Sequence, residues 1–470
     1  MRISKVFNPS VFWLAALPLV VYINSFLGDF QFDDFPSILE NPHLDRWQIF
    51  VEHLDHMVRP VLYATFLFDR YLYAEWARGY HFMNVGLHIL SGFLVYRIVL
   101  YARLEGISSI ALGTAILFLI HPLGTETVTY LSGRASGLMT GFYLLAFLLY
   151  LRATEEPERD RNRSLWVACS LLAFLLAVGS KETAVTFPVA LLLWDVLIRR
   201  LQGQNLRSRV LSYHMPFWTM VAVGVVVAIW NHPQYSYLAD FSLHLRPLWD
   251  NVLSQIHAVT YAIFLFFAPW KQNFDHDLPI VYSFFQWPLV VDLMVLGGLI
   301  TSGVLAIRRF PLAAFGIGWF FLQLLPTNSM IPRTDLLSER NLYLPSIGLY
   351  IAVVIGGVGL SRWIFKKRPS ILWVRPVVRT IGLAGVLALC VMTVQRNAIF
   401  HDPVLLWKDT VQKSPYKARP HNNLGHSYAL RGDWNNAIEE FRVALTLNPD
   451  YPLAQENLRQ AYLFHVGRAE

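Results

Sequence analysis

The sequence predicts an all-α fold: a polytopic bundle of about eleven membrane helices, followed by a small C-terminal helical array. Three observations carry the first half of that prediction and its sequel. Apolar runs near membrane-spanning length recur along the chain. Positive charge gathers in the short segments between them. Residues 396–470 then exchange the apolar runs for a 34-residue helical repeat. Composition agrees, with 55% hydrophobic residues, 15% charged residues and a mean hydropathy of +0.40. The net charge of +7 does not mark a nucleic-acid binder, because the basic residues lie in short interspan loops, where membrane topology requires them. Cys169 and Cys390 both sit inside apolar runs and define neither a disulfide nor a redox compartment.

Taken in order, Arg2 and Lys5 precede the first apolar run, 11–28. No small-residue cleavage site follows Gly28, so the run is read as a retained helix rather than a signal peptide. Further spans are expected at 84–102, 108–123, 135–151, 164–179, 184–198, 211–230, 289–307, 311–325, 343–363 and 376–394. The run 250–270 decides the topology. If it crosses, the basic segments at 308–309 and 362–368 face outward. If it lies in the interface or re-enters, the basic loops 159–163, 199–209, 308–309 and 362–375 all face the cytoplasm. The positive-inside rule favours the second arrangement, with the N-terminus in the cytoplasm and the tail outside.

That topology gathers five loops on the outer face: 29–83, 121–134, 180–182, 270–282 and 326–341. The first carries adjacent carboxylates, Asp33 and Asp34, just beyond the first helix. An acid pair in low dielectric can take a proton from a hydroxyl or hold a divalent cation. Segments 47–55 and 60–73 of the same loop have the mixed apolar and polar character of helices lying on a membrane surface. His81, Asn84 and His88 share one helical face at the entry to a span. His121 and Glu126 stand in the stretch HPLGTE, with Arg134 at the start of the next span. Lys181 and Glu182 join two spans. Arg59, Asp275, Asp277, Glu339, Arg340 and Tyr343 complete the polar set on this face. Ionisable groups beside membrane spans are costly to keep and by default mark a site. Structural ion pairs, such as Glu126 with Arg134 or Lys181 with Glu182, are the competing explanation.

In the tail, counting from Ala418, residues Leu424, Gly425, Tyr428, Ala437, Phe441, Ala444 and Pro449 occupy tetratricopeptide (TPR) repeat positions, with His421 replacing the usual Trp. One full repeat, 418–451, is flanked by a preceding and a trailing helix in register. No HExxH, CxxC, Walker A or GxGxxG pattern is present.

The stretches FQFDD, RPVLYATF, YHFMNVGLH, FLIHPLGTETVTYLSGRASGL, GSKETAVTFPVALLLWD, NFDHDLP, SERNLYLPSIG and RNAIFHDPVLLW, in that order and ahead of a TPR tail, resemble one family. It is the transmembrane and TPR-containing O-mannosyltransferases, within the GT-C class of membrane glycosyltransferases. The resemblance divides the chain into a membrane glycosyltransferase domain, 1–395, and a TPR tail, 396–470. It implies a polyprenyl-phosphate-linked sugar donor, with mannose as the sugar, and a protein Ser/Thr hydroxyl as acceptor outside a bacterial inner membrane. The residues suit that chemistry. Asp33 or Asp34 can act as base, and Arg59, Arg134, Lys181 and Arg340 can stabilise the leaving phosphate. Glu126, Glu182 and Glu339 can orient those cations or contact the sugar, and His81, Asn84, His88 and His121 can orient the donor. Metal dependence is left open, with Asp33 and Asp34 as the ligands if a divalent cation is used. The tail departs from the family in its short repeat array, so a glycolipid or polysaccharide acceptor, or a scaffold without catalysis, are the alternatives. A transporter fits less well, because the charges lie at span ends and no inverted repeat is evident.

Overall fold

The computed structural model describes residues 9–155, 162–231, 237, 240–242, 244–367 and 374–466, and among them there are helices and turns but no strand. Arg2, Lys5, Arg159, Arg161 and Arg368 fall outside the described residues. Seven described helices are long and apolar enough to cross a membrane, from Ala77–Leu100 to Pro376–Ile399. They become eight if Ile107–Ile120 and Pro122–Val128, which meet at a 58° bend, form one span. Val11–Leu27 and Pro311–Leu324 are shorter apolar helices. The segment expected to span at 184–198 is an 11-residue helix, Phe187–Leu197. At 1.5 Å per residue it reaches only about 17 Å, roughly half a hydrocarbon core. Length and apolarity thus carry fewer spans than the eleven expected. The chain is an integral membrane protein by these helices.

The helix Arg134–Ala153 lies at the centre, and 78% of the most apolar window in its span is buried. Small residues let its neighbours pack closely. Where Pro311–Leu324 crosses Ser346–Lys367, a Cβ on Gly348 would lie 2.0 Å from the Gly316 carbonyl oxygen, so neither position admits a side chain without moving a helix. Gly92 likewise seats Leu119. Pro376–Ile399 and Gly203–Trp230 are only 6% and 11% buried over their apolar windows. Their Val, Leu and Ile side chains face outward, as lipid contact favours.

The helix Leu248–Phe267 covers the ambiguous run and is not among the described helices long and apolar enough to cross a membrane. Asp250, Asn251, Gln255 and His257 in its first half lower its apolarity, and its contacts lie at both ends. Asn251 donates to the Ser329 and Met330 carbonyls at 2.9 and 3.0 Å, and Gln255 accepts from Asn328 at 2.9 Å. At its far end, the Phe266 carbonyl meets His121 Nε2 at 3.0 Å. Both ends therefore reach loops that the sequence assigns to one face.

The tail forms four helices: Pro403–Lys413, Ala418–Leu430, Trp434–Leu447 and Pro452–Val466. Asp402 caps the first, accepting from the Val404 and Leu405 amides at 2.7 and 3.3 Å with Pro403 at the first helical position. Gly425 gives the Phe441 ring its seat, since a Cβ there would lie 2.7 Å from it. His421, in the place of the usual Trp, bridges Glu440 at 2.7 Å and the Pro415 carbonyl at 3.0 Å.

Candidate active site

Five loops far apart in sequence meet at one end of the bundle. Arg340 of the 326–342 loop lies 3.4 Å from Asp33 of the first loop and donates its backbone N–H to Glu126 at 3.1 Å. Lys181 Nζ donates to Asn341 at 2.7 Å and to Ser136 at 2.8 Å. Gln272 donates to Glu339 at 2.6 Å. Arg59 clamps Glu182 with three N–H···O contacts of 2.9–3.1 Å. The opposite arrangement holds for positive charge: Arg200 reaches the Arg308 carbonyl at 3.3 Å, joining two basic loops.

The two adjacent aspartates have different environments. Asp34 is fully buried. One carboxylate oxygen accepts from the Ser132 amide at 2.7 Å and from the Ser132 hydroxyl, and the other accepts from the Gln31 amide at 2.9 Å. Burial pushes it up to about 7, against the pull of those donors. The Asp33 side chain is 37% exposed and pairs with Arg340. Its backbone N–H donates to the Tyr130 hydroxyl at 3.0 Å, which aims the side chain toward Arg340. Asp34 is built to hold the loop, and Asp33 to face an opening.

Beside them lies a cavity of about 190 Å³ lined by Arg59, Lys181, Arg333, Arg340, Ser136 and Asn341 among others. Four cations face it against one carboxylate, Asp335. Burial, then the positive charges of Arg59, Arg340 and Arg333, lower Lys181 well below its ordinary value. Burial alone would raise Glu182, but the Arg59 guanidinium beside it holds it down at about 2. A space with this excess of cations over carboxylates is suited to a phosphate group. Arg340 is its shared wall: it also lines a smaller cavity of about 40 Å³ with Asp33 and Glu126.

Of the residues singled out from sequence, Arg59, Lys181 and Arg340 line the cationic cavity, and Asp33, Glu126 and Asp275 line the smaller one. The others are placed elsewhere. Arg134 is fully buried and pairs with Asp69 at 2.6 Å, not with Glu126, and its Nε donates to Asn84 at 2.7 Å. A guanidinium so enclosed does not reach the cavity, which corrects its expected role at the phosphate. His88 is held between the Tyr343 hydroxyl at 2.6 Å and the Leu119 carbonyl at 3.0 Å. His121 caps the turn after its helix, accepting from Leu123 at 3.2 Å. His81 packs against Gly28, where a Cβ would lie 3.0 Å from its Nε2. These side chains form a buried layer behind the site. Glu339 is also buried, bonded to Gln272, the Asn273 amide and His276 at 2.6, 2.6 and 2.9 Å, and it ties two loops together. Asp277 is exposed. Among the described residues no group of three or more His, Cys, Asp or Glu side chains is arranged to hold a metal.

Sequence reasoning missed Arg333, Ser132 and Asn341. Arg333 stands seven residues before Arg340 in a loop already assigned to this face, and the cation count of that loop was the available signal. Ser132 carries no such signal, because its role is defined only by Asp34 folding onto it.

This architecture defines a polytopic membrane protein whose helical tail is docked on the polar end of its bundle. Residues 425–463 match the TPR repeat family. The chain is similar, over nearly all of its length, to protein O-mannosyl-transferases of the transmembrane and TPR kind, as the motifs imply. It is 25% identical to human Protein O-mannosyl-transferase TMTC4 over 93% of this chain and 66% of that protein. It is 25% identical to human TMTC1 over 95% of this chain and 56% of that protein. It thus spans about half to two thirds of the length of these curated relatives. A solved structure, ArnT from Cupriavidus metallidurans bound to undecaprenyl phosphate, aligns with 90% of this chain and 81% of its own at 14% identity and a TM-score of 0.42.

Proposed function

We propose that this chain is a GT-C-type membrane glycosyltransferase that moves a sugar, mannose by its relatives' names, from a polyprenyl-phosphate donor to a protein Ser/Thr hydroxyl on the extracytoplasmic face. The observation that carries the reading is the four-cation cavity separated by Arg340 from the Asp33 carboxylate. In the reaction, Asp33 takes the proton of the acceptor hydroxyl as its oxygen bonds to the anomeric carbon. The bond from that carbon to the lipid phosphate breaks, and the sugar inverts. The polyprenyl phosphate leaves into the field of Arg59, Lys181, Arg333 and Arg340. Arg340 links the two halves, and Glu126 holds its backbone. The contacts of Leu248–Phe267 with one face support its lying in the interface, which in turn supports a cytoplasmic N-terminus and an extracytoplasmic tail.

The test is transfer of labelled mannose from polyprenyl-phosphate-mannose to Ser/Thr-rich polypeptide by the purified full chain in lipid. Label in polypeptide is the expected result, and label only in lipid would move the acceptor to a glycolipid. No turnover of any polyprenyl-phosphate sugar by folded protein would remove the enzyme reading.

A pH dependence follows from Lys181. Its lowered affinity for a proton means that an arriving phosphate favours the ammonium form and draws a proton in. Binding of polyprenyl phosphate should therefore weaken as pH rises, because the charged form is lost. Lys181→Met should weaken binding by about 10–100-fold, the cost of one hydrogen bond to a charged group, and flatten the slope. An unchanged slope in isothermal titration across pH 6–9 would assign the dependence to another group.

A further inference from the structure

We propose that the TPR tail is a wall of the acceptor subsite, so that a polypeptide hydroxyl reaches Asp33 through a slot closed on one side by Trp407 and Arg419. The inference deepens the glycosyltransferase reading and relies on it for what the acceptor receives.

The slot is the cavity of about 40 Å³ in which Asp33, Glu126 and Arg340 face Phe274, Trp407 and Arg419. Nine of its eleven lining residues come from the membrane loops, and two, Trp407 and Arg419, come from the tail. The tail is fixed there at several points. Arg419 holds Asp275 with contacts of 2.5 and 2.7 Å and reaches Asp335 at 2.6 Å. Lys417 adds a 2.5 Å contact to Asp275, Lys413 donates to the Gln272 carbonyl at 2.7 Å, and Gln31 donates to the Phe400 carbonyl at 3.2 Å. Between these anchors the Trp407 ring meets Phe274 and Phe32 edge-on, each at 5.4 Å between centroids.

Phe32 makes the connection to the base. Its φ of +38° lies in the left-handed region, which a residue with a bulky side chain occupies only when its surroundings hold it there. Those surroundings are Trp407 and Phe274, and the next residue is Asp33. The tail therefore positions the carboxylate as well as bounding the space in front of it.

Size and charge name the occupant. At the ~10–15 Å³ that each water position needs, the slot has room for about three waters, which fits a hydroxymethyl or hydroxyethyl side chain and not a sugar ring. Four carboxylates, Asp33, Glu126, Asp275 and Asp335, line it against two cations, Arg340 and Arg419, so a phosphate-bearing acceptor is repelled. The geometry fits Ser or Thr on a flexible segment laid along the junction of tail and first loop.

The experiment uses the full chain in lipid nanodiscs and a Ser/Thr peptide carrying a photoreactive diazirine beside the Ser, with labelled sites mapped by mass spectrometry. Label on residues 30–34 and 403–419 is expected. Label confined to Trp434–Leu447 and Pro452–Val466, or no specific label, overturns the proposal. Peptide label at the slot with no sugar transfer would instead overturn the enzyme reading and leave the binding surface standing. In transfer kinetics, Trp407→Ala should raise the acceptor KM by about tenfold or more while the donor KM stays within about twofold. Trp407→Phe, which keeps an aromatic wall, should recover most of the difference. Equal rises in both KM values, or none, would reduce Trp407 to a packing residue of the tail.

Discussion

Asp33→Asn should lower transfer by about 10²–10⁴-fold, the range that a positioned general base contributes, with donor affinity and thermal stability close to wild type. The side chain is partly exposed and its ion pair with Arg340 is a 3.4 Å contact, so little of the fold depends on its charge. Asp34→Asn should behave in the opposite way. The carboxylate accepts from three donors, and an amide turns its NH₂ toward either Gln31 or Ser132, where another N–H already points. A loss of about 1–3 kcal/mol in stability is expected from that mismatch, with activity falling as the first loop shifts. The two losses also differ in their response to pH. Asp34 is raised to about 7 in the fold from 3.8, so as pH rises from about 4 to about 7 the unfolded chain releases this proton first. Ionisation therefore costs the folded state stability across that window, with the cost fully present above pH 7. Asp34→Asn does not titrate, so the wild type's advantage in melting temperature over it should narrow between pH 4 and 7 and then level off. If Asp33→Asn transferred normally while Asp34→Asn melted normally but lost transfer, Asp34 would be the base.

That division of labour shows where sequence reading stops. Most of the spans, the loops between them and the repeat of the tail were legible because each rests on local pattern: apolar length, positive charge beside it, and the spacing of Gly425, Ala437 and Phe441. The count of eleven was not, since 184–198 holds only an 11-residue helix. The grouping of five loops on one face was legible too, since alternation of spans fixes it, and the contacts of Asp33, Glu126, Lys181 and Glu182 bear out the grouping. The roles within the group were not. Asp33 and Asp34 are equivalent as letters, and only Ser132, 98 positions away, separates them. Glu126 was set beside Arg134 by proximity in sequence, but the bend after Ile107–Ile120 turns it toward Arg340 instead. His81, Asn84 and His88 were correctly placed on one helical face, but that face packs inward. Here Arg134 and the Tyr343 hydroxyl satisfy Asn84 and His88. The docking of the tail was wholly hidden, because Arg419 and Asp275 belong to segments with no shared pattern.

Arg134→Met should destabilise the protein by about 3–5 kcal/mol, the cost of leaving one partner of a buried pair without its counter-charge. Both side chains are nearly inaccessible, at 0% for Arg134 and 2% for Asp69, and their contact is 2.6 Å. The guanidinium also donates to the Tyr80 carbonyl at 2.8 Å and stacks over Phe66 at 4.7 Å from its ring centre. It thereby fastens the Pro60–Tyr73 helix of the first loop to the start of the central helix. Removing both charges is a different experiment. Arg134→Met with Asp69→Leu replaces the pair by apolar groups in a site already walled by Phe66 and Leu138, and such replacements are often neutral or stabilising. Most of the lost stability should therefore return, leaving a deficit mainly from Asn84, whose oxygen loses its donor. Thermal unfolding in lipid measures this, and affinity for polyprenyl phosphate, measured on the same double variant, assigns the role. With Arg134 behind the cationic cavity rather than in it, that affinity should stay within a few-fold of wild type, because Arg59, Lys181, Arg333 and Arg340 are untouched. A double variant that folds normally yet no longer binds the lipid phosphate would put Arg134 back among the residues that hold the donor.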